Sequence, residues 1–120
     1  MAEDNDLNAE IAEAILESAG PKIERVEDGI QCVNRIEKMP ADTYDMILMD
    51  IQMPVMDGYD ATARIRRMKD EEKASIPIIA MTANAFAEDR QKAISTGMND
   101  HVAKPIDMKV LLPVMAKYIR

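Results

Sequence analysis

Asp50 closes an apolar run, Met46-Ile47-Leu48-Met49, and is followed by the turn-rich stretch Met53-Pro54-Val55-Met56-Asp57-Gly58. A run this short, bounded by polar and turn residues, reads as a strand buried on both faces. An acid at the carboxyl end of a buried parallel strand stands where open α/β sheets place their ligands. Two further strand ends carry groups suited to phosphate: Thr82, after the run 76–81, and Lys104, after 101–103. The acidic pair Glu3-Asp4 precedes the first helical pattern. In a parallel sheet these ends share one edge. Carboxylates crowded there repel one another, and a hard dication relieves the repulsion. Mg²⁺ takes oxygen ligands, usually one or two carboxylates with phosphate and water. Asp4 and Asp50 could supply the carboxylates, and Gln52 a backbone carbonyl. Phosphoryl transfer depends mainly on alignment and on neutralising the equatorial oxygens. Mg²⁺ and the Lys104 ammonium would neutralise, while the Thr82 hydroxyl donates to one oxygen. Asp50 is thus read as a nucleophile that accepts a phosphoryl group.

The elements that must hold these groups alternate between helix and strand. Asn5 or Asp6 can cap a first helix, in which Leu7, Ile11, Ala14, Ile15 and Ala19 recur at helical spacing before Gly20 and Pro21. Residues 22–26 alternate polar and apolar, which predicts an edge strand. Ile30, Val33 and Ile36 mark a second helix closed by Pro40. Ala61, Ile65 and Met68 line a third, with Arg64, Arg66 and Arg67 read as its solvated face. A charged loop is expected over 68–75. Residues 76–81 form the second buried strand, 87–96 a polar helix stopped by Gly97, and 101–103 a short strand. A last helix, capped by Asp107, carries Val110, Leu111, Val114, Met115, Tyr118 and Ile119 on its apolar stripe and contains Pro113. This alternation predicts a parallel sheet with helices on both faces.

At 120 residues the chain is read as one domain, 1–120, and it can bury roughly two-thirds of its unfolded surface. Its net charge of −7 excludes direct nucleic-acid binding, which needs a basic footprint, and permits a cationic metal. No run approaches the ~20 apolar residues of a membrane span. The acidic N-terminus does not read as a signal peptide, and the single Cys32 suits a reducing cytoplasm. One Cys and one His are too few for structural zinc. The eleven Met read as core filler.

Four motifs, in order and in register, carry a resemblance: Glu3-Asp4-Asn5, the stretch from Asp50 to Gly58, Met81-Thr82-Ala83-Asn84-Ala85, and Lys104-Pro105-Ile106-Asp107. With them the chain resembles, over nearly its whole length, the receiver domain of two-component response regulators, especially those joined to hybrid histidine kinases. The resemblance implies a flavodoxin-like, doubly wound five-stranded sheet of order 2-1-3-4-5. It implies phosphorylation of Asp50 by a phosphohistidine on a histidine kinase or histidine phosphotransfer domain. It implies Mg²⁺ held by Asp4, Asp50 and the Gln52 carbonyl, with Glu3 acting mostly through water. It also implies a switch pair, Thr82 and His101, and a cis Lys104–Pro105 bond.

One departure stands out. The family has a first strand of about five apolar residues before the acidic pair, and here only Met1 and Ala2 precede Glu3. Its loss would leave a gap inside the sheet and free the Glu3-Asp4 pair from its anchor. Three resolutions follow: the chain is a piece of a longer one, the gap closes with residues 22–26 moved or lost, or a second copy contributes by exchange or edge pairing. The expectation is a non-standard, oligomeric arrangement. Read alone, Glu3 and Asp4 also suit a solvated terminus, Thr82 an ordinary strand end, Lys104 the surface, and His101 a filled sheet edge. Two other functions fit less of the pattern. One is an aspartyl-phosphate phosphatase or phosphotransferase, which would need an acid where Gln52 stands. The other is an interaction module that is not phosphorylated.

Overall fold

The computed structural model describes residues 1–18, 20, 22–53, 55–82, 87–104 and 107–118. Helices α1 (Asp6–Ser18), α2 (Gly29–Lys38), α3 (Gly58–Arg66), α4 (Glu71–Ala74), α5 (Ala87–Thr96) and α6 (Met108–Tyr118) alternate with strands β1 (Ile47–Asp50), β2 (Ile78–Thr82) and β3 (Asp100–Ala103). The three strands form a parallel sheet in the order β1-β2-β3, with Met49 opposite Ala80 and Thr82 opposite Ala103. β1 and β2 are buried along their whole length because helices cover both of their faces. One core layer joins Ile47, Met49, Ile78 and Ala80 to α2, α3 and Ala93 of α5. The other joins Leu48, Ile79, Met81 and Val102 to Leu16 of α1 and Leu111 and Met115 of α6. The alternation of successive side chains between layers follows from the two-residue period of a strand.

The expected gap is bridged within the chain. Ala2 pairs in parallel with Val26 on one side and Met49 on the other. Its N–H donates to the Leu48 carbonyl at 2.8 Å, and its carbonyl accepts from the Asp50 N–H at 3.0 Å. On the other side the Val26 N–H donates to Met1, and the Glu3 N–H to Val26. The spatial sequence is therefore residues 22–26, residues 1–3, β1, β2, β3, which is the order 2-1-3-4-5. The expected loss of the Glu3-Asp4 anchor does not occur, residues 22–26 are neither displaced nor lost, and no exchanged segment is needed to seat Ala2. Residues 22–26 nevertheless form no strand and meet their neighbour at a single bridge, Val26, because only three residues are available to pair with them.

Three further expectations change. In α1 the buried residues are Ala9, Ala12 and Leu16, while Leu7 and Ile11 are 63% and 50% exposed on the opposite face. Two stripes compete on this helix, and the small alanines win because the sheet lies close beneath them. The charged loop contains a one-turn helix, α4, whose first N–H groups are capped by the Asp70 carboxylate. The Ala19, Pro21 and Ile119 assignments, residues 83–85 of the third motif, and the Lys104–Pro105 bond lie outside the described residues. Other signals hold. Asn5 caps α1 through Asn8 N–H at 3.0 Å, Asp107 caps α6 through Lys109 N–H at 2.9 Å, and Gly97 ends α5 at φ +115°.

Candidate functional site

Asp50 is the last residue of β1 and is only 3% exposed. Its backbone is fixed twice over, by its N–H to Ala2 and by the close packing of Gly58. A Cβ at Gly58 would stand 2.4 Å from the Asp50 carbonyl oxygen, so the start of α3 can approach this strand end only as glycine. One carboxylate oxygen, Oδ1, accepts the Gln52 N–H at 3.1 Å. The other, Oδ2, accepts from the Lys104 ammonium at 2.7 Å. Lys104 follows β3 directly, and its own N–H donates to the Thr82 carbonyl at 2.7 Å, which aims its side chain back across the sheet edge. The same ammonium lies 3.1 Å from Glu3 Oε1.

Glu3, Asp4 and Asp50 each bring a carboxylate oxygen to within 4.8 Å of the others. Glu3 is 2% exposed, and its Oε2 is buried without a hydrogen-bond partner. Burial, followed by the adjacent Asp50, holds the Glu3 carboxyl above its ordinary range, and Lys104 only partly opposes this. Burial alone would lower the Lys104 ammonium, but the hydrogen bonds and charges of Asp50 and Glu3 outweigh it and raise its pKa. An orphaned carboxylate oxygen beside two more is a donor set that suits a hard dication. Sequence and structure therefore agree on bringing Glu3, Asp4, Asp50 and Lys104 together, with Gln52 immediately after the strand end.

Thr82 ends β2 on the same edge, buried, with its hydroxyl 3.5 Å from the Val102 carbonyl. His101 lies opposite Ala80 on β3, two register steps from the Ala103 that faces Thr82. Its Nδ1 is 3.6 Å from Asp100 Oδ1.

Two arginines were not legible as parts of this framework. Arg25 clamps the acidic segment: its Nε and a terminal nitrogen donate to the Glu3 carbonyl at 3.0 and 2.9 Å, and the guanidinium pairs with Asp6 at 2.9 Å. Arg66, expected on a solvated face, instead donates to the carbonyls of Gly97, Ala74 and Ile76 and to Asn99 Oδ1, all at 2.7–2.8 Å. It joins α3 to the ends of α4 and α5. Neither arginine sits in a motif, and the only sequence signal available was the charge itself.

Comparison with known proteins agrees with this geometry. The family model described as response regulator receiver domain matches residues 1–116. Hybrid signal transduction histidine kinase I of Dictyostelium discoideum is 40% identical over 99% of the chain. Sensor protein GacS of Pseudomonas syringae pv. syringae is 37% identical over 97%. The chain spans only 7% and 13% of the lengths of these two relatives. Among solved structures, the receiver domain of sensor histidine kinase PA1611 from Pseudomonas aeruginosa PAO1 has a magnesium ion coordinated in its active site cleft. It is 42% identical, with a TM-score of 0.85 over 98% of this chain and 92% of that one. The chemotaxis protein CheY4 of Vibrio cholerae, at 23% identity, shares the fold, with a TM-score of 0.84 over 98% of this chain and 94% of that one. No helix among the described residues is long and apolar enough to cross a membrane. A sheet edge that gathers three acids and one ammonium, and a family match over almost every residue, lead to one conclusion: the chain belongs to the response regulator receiver domains, which are phosphoacceptor signalling modules and not turnover enzymes.

Proposed function

We propose that the chain accepts a phosphoryl group on Asp50 from a phosphohistidine of a histidine kinase or histidine phosphotransfer domain. The observation that carries this reading is the 2.7 Å contact between Lys104 Nζ and Asp50 Oδ2 beside three converging carboxylates. A carboxylate oxygen of Asp50 attacks phosphorus, the P–N bond to the donor imidazole breaks, and an acyl phosphate forms. Lys104 neutralises charge on the transferred group, and the Thr82 hydroxyl turns from Val102 to donate to a phosphoryl oxygen. Mg²⁺ would be held by Asp4, Asp50 and the Gln52 carbonyl, with Glu3 through water. When bound it supplies positive charge to the phosphoryl oxygens. His101 follows Thr82 as the second switch residue, and β3 and α6 carry the change to partners. Leu7 and Ile11 give α1 an exposed apolar face in the helix that follows Asp4, a surface suited to a helical donor domain.

The test uses the 120-residue chain with Mg²⁺ and acetyl phosphate, read by intact mass. The parent gains one phosphoryl group and Asp50→Asn gains none. Equal incorporation in both would remove Asp50 from the chemistry.

A further inference from the structure

A cavity of about 480 Å³ lies between residues 22–26 and β1, at the amino-terminal side of the sheet and away from Asp50. It begins where the chain does. Met1 donates its ammonium to the Glu24 carbonyl at 2.7 Å, and the two flanking segments continue past it unbridged. The hydrogen-bonding pattern above Met1 fixes what the empty length offers. Even-numbered residues of β1 face this side, since Leu48 and Asp50 bond Ala2 while Ile47 and Ile51 bond β2. The alternation of a parallel pair therefore turns the Leu48 N–H and the Met46 carbonyl toward the cavity. On the opposite wall, the Val26 N–H and Glu24 carbonyl are taken by Met1, which leaves the Glu24 N–H next in line. The walls are apolar from both core layers: Leu16, Leu48 and Met115 on one side, Cys32, Ile36 and Ile47 on the other. The Met1 ammonium is buried at the closed end, and that burial lowers its pKa.

We propose that this cavity is an acceptor site for an added β-strand: an extended peptide, apolar at every position, lying parallel to β1 with a free C-terminal carboxylate against the Met1 ammonium. Two half-sheets with facing, unpaired backbone groups take a strand through main-chain hydrogen bonds, and side-chain pockets set its sequence. At ~3.3 Å per residue, about four residues run alongside residues 44–48. The last side chain falls on the Ala2 face, toward Cys32, Ile36 and Ile47. The one before it falls on the Met1 face, toward Leu16, Leu48 and Met115. Both faces are apolar, so an alternating polar/apolar peptide is rejected. A second copy of the chain is a poorer occupant, because its own apolar runs are already β1 and β2 at the centre of its sheet. Charge complementarity selects the carboxylate, since a buried ammonium gains from an anionic partner and not from an amide.

The experiment titrates the chain with an amino-terminally labelled peptide of two lysines followed by Val-Leu-Val-Val, read by fluorescence anisotropy. The free-carboxylate peptide is expected to bind saturably at one per chain. Its C-terminal amide should bind at least about tenfold more weakly, and a version with aspartate at the penultimate position should not bind. Bound peptide should slow hydrogen exchange at the Leu48 and Glu24 amides. It should also raise Tm by about 5–10 °C at a free concentration about 100 times its dissociation constant. Fusing the same four apolar residues directly before Met1 should raise Tm and abolish binding of the free peptide. Indifference to the carboxylate, exchange protection elsewhere, or a fusion that leaves Tm and binding unchanged would each overturn the proposal. So would a dimer, by sedimentation, in which the Leu48 and Glu24 amides are already protected.

Discussion

Replacing Lys104 with methionine keeps the length of the side chain and removes its ammonium. In the parent that ammonium is 2.7 Å from Asp50 and 3.1 Å from Glu3, two side chains only 4% and 3% exposed. At an effective dielectric of about 20 the gross attractions are about 6 and 5 kcal/mol. Desolvation cancels much of this in the intact cluster, but removing one member leaves the others buried and uncompensated, at a cost of about 3–5 kcal/mol. For a chain of 120 residues that corresponds to a Tm lower by about 10–25 °C. The assay is thermal unfolding by circular dichroism at pH 8, with and without Mg²⁺. Without the ammonium the three carboxylates hold more net negative charge, so Mg²⁺ should raise the variant's Tm more than the parent's. Acidification should narrow the difference as well. Glu3 already favours its proton in the folded state, so its contribution to stability falls as pH rises from about 4.5 through its raised folded value. Without Lys104 this loss should be steeper. The raised pKa of Lys104 works in the other sense at the alkaline end. It stabilises the parent fully below about 10.5, and the benefit disappears as pH rises through its folded value. A Lys104→Met variant that melts within about 2 °C of the parent at pH 8 without Mg²⁺, and responds equally to Mg²⁺, would refute the electrostatic account.

Gly58→Ala must relieve a 2.4 Å approach to the Asp50 carbonyl, so it should cost about 1–3 kcal/mol in denaturant unfolding and reduce acyl phosphate formation by displacing Asp50. Arg66→Met removes the donor from three carbonyls and Asn99, and should cost about 3–5 kcal/mol; Arg66→Lys should not restore it, because an ammonium cannot span the same fork. Val55 is 79% exposed at φ 68°, a strained backbone for a β-branched residue. Val55→Asn should therefore stabilise by about 1 kcal/mol, read as a higher denaturant midpoint at unchanged m. Thr62 is fully buried with an unpartnered hydroxyl, so Thr62→Val should be neutral or slightly stabilising by the same assay.

These expectations rest unequally on sequence and structure. β1 and β2 were legible because a strand covered on both faces must be an unbroken apolar run. Asp50 and Lys104 were legible because each ends such a run. The helix faces were less so. In α1 the pattern of Leu7 and Ile11 is the more hydrophobic one, yet Ala9 and Ala12 are buried, since the closeness of the sheet rewards small side chains over large ones. Arg66 was illegible for a different reason. Its acceptors are backbone carbonyls 8, 10 and 31 residues away, and carbonyls carry no sequence signature. Arg25 likewise serves the site through the Glu3 carbonyl, not through a side-chain pattern.

Residues 1–3 are the strongest case of local rules being overruled. No propensity makes three residues a strand. They are extended because both neighbours offer backbone groups at the right spacing: Leu48 and Asp50 on one side, Glu24 and Val26 on the other. Ligand sites in parallel sheets gather at the carboxyl ends of strands, and it is this end that residues 1–3 provide. Ala2 ties the Asp50 amide, Glu3 continues into the acid cluster, and Arg25 holds the carbonyl between them. The short segment thus completes the edge where the acids and Lys104 meet, while the length it does not fill opens as a cavity near the opposite edge. Chemistry and vacancy are separated along a single strand position, so adding a strand behind Met1 and altering the charges beyond Ala2 are perturbations that one protein can report independently.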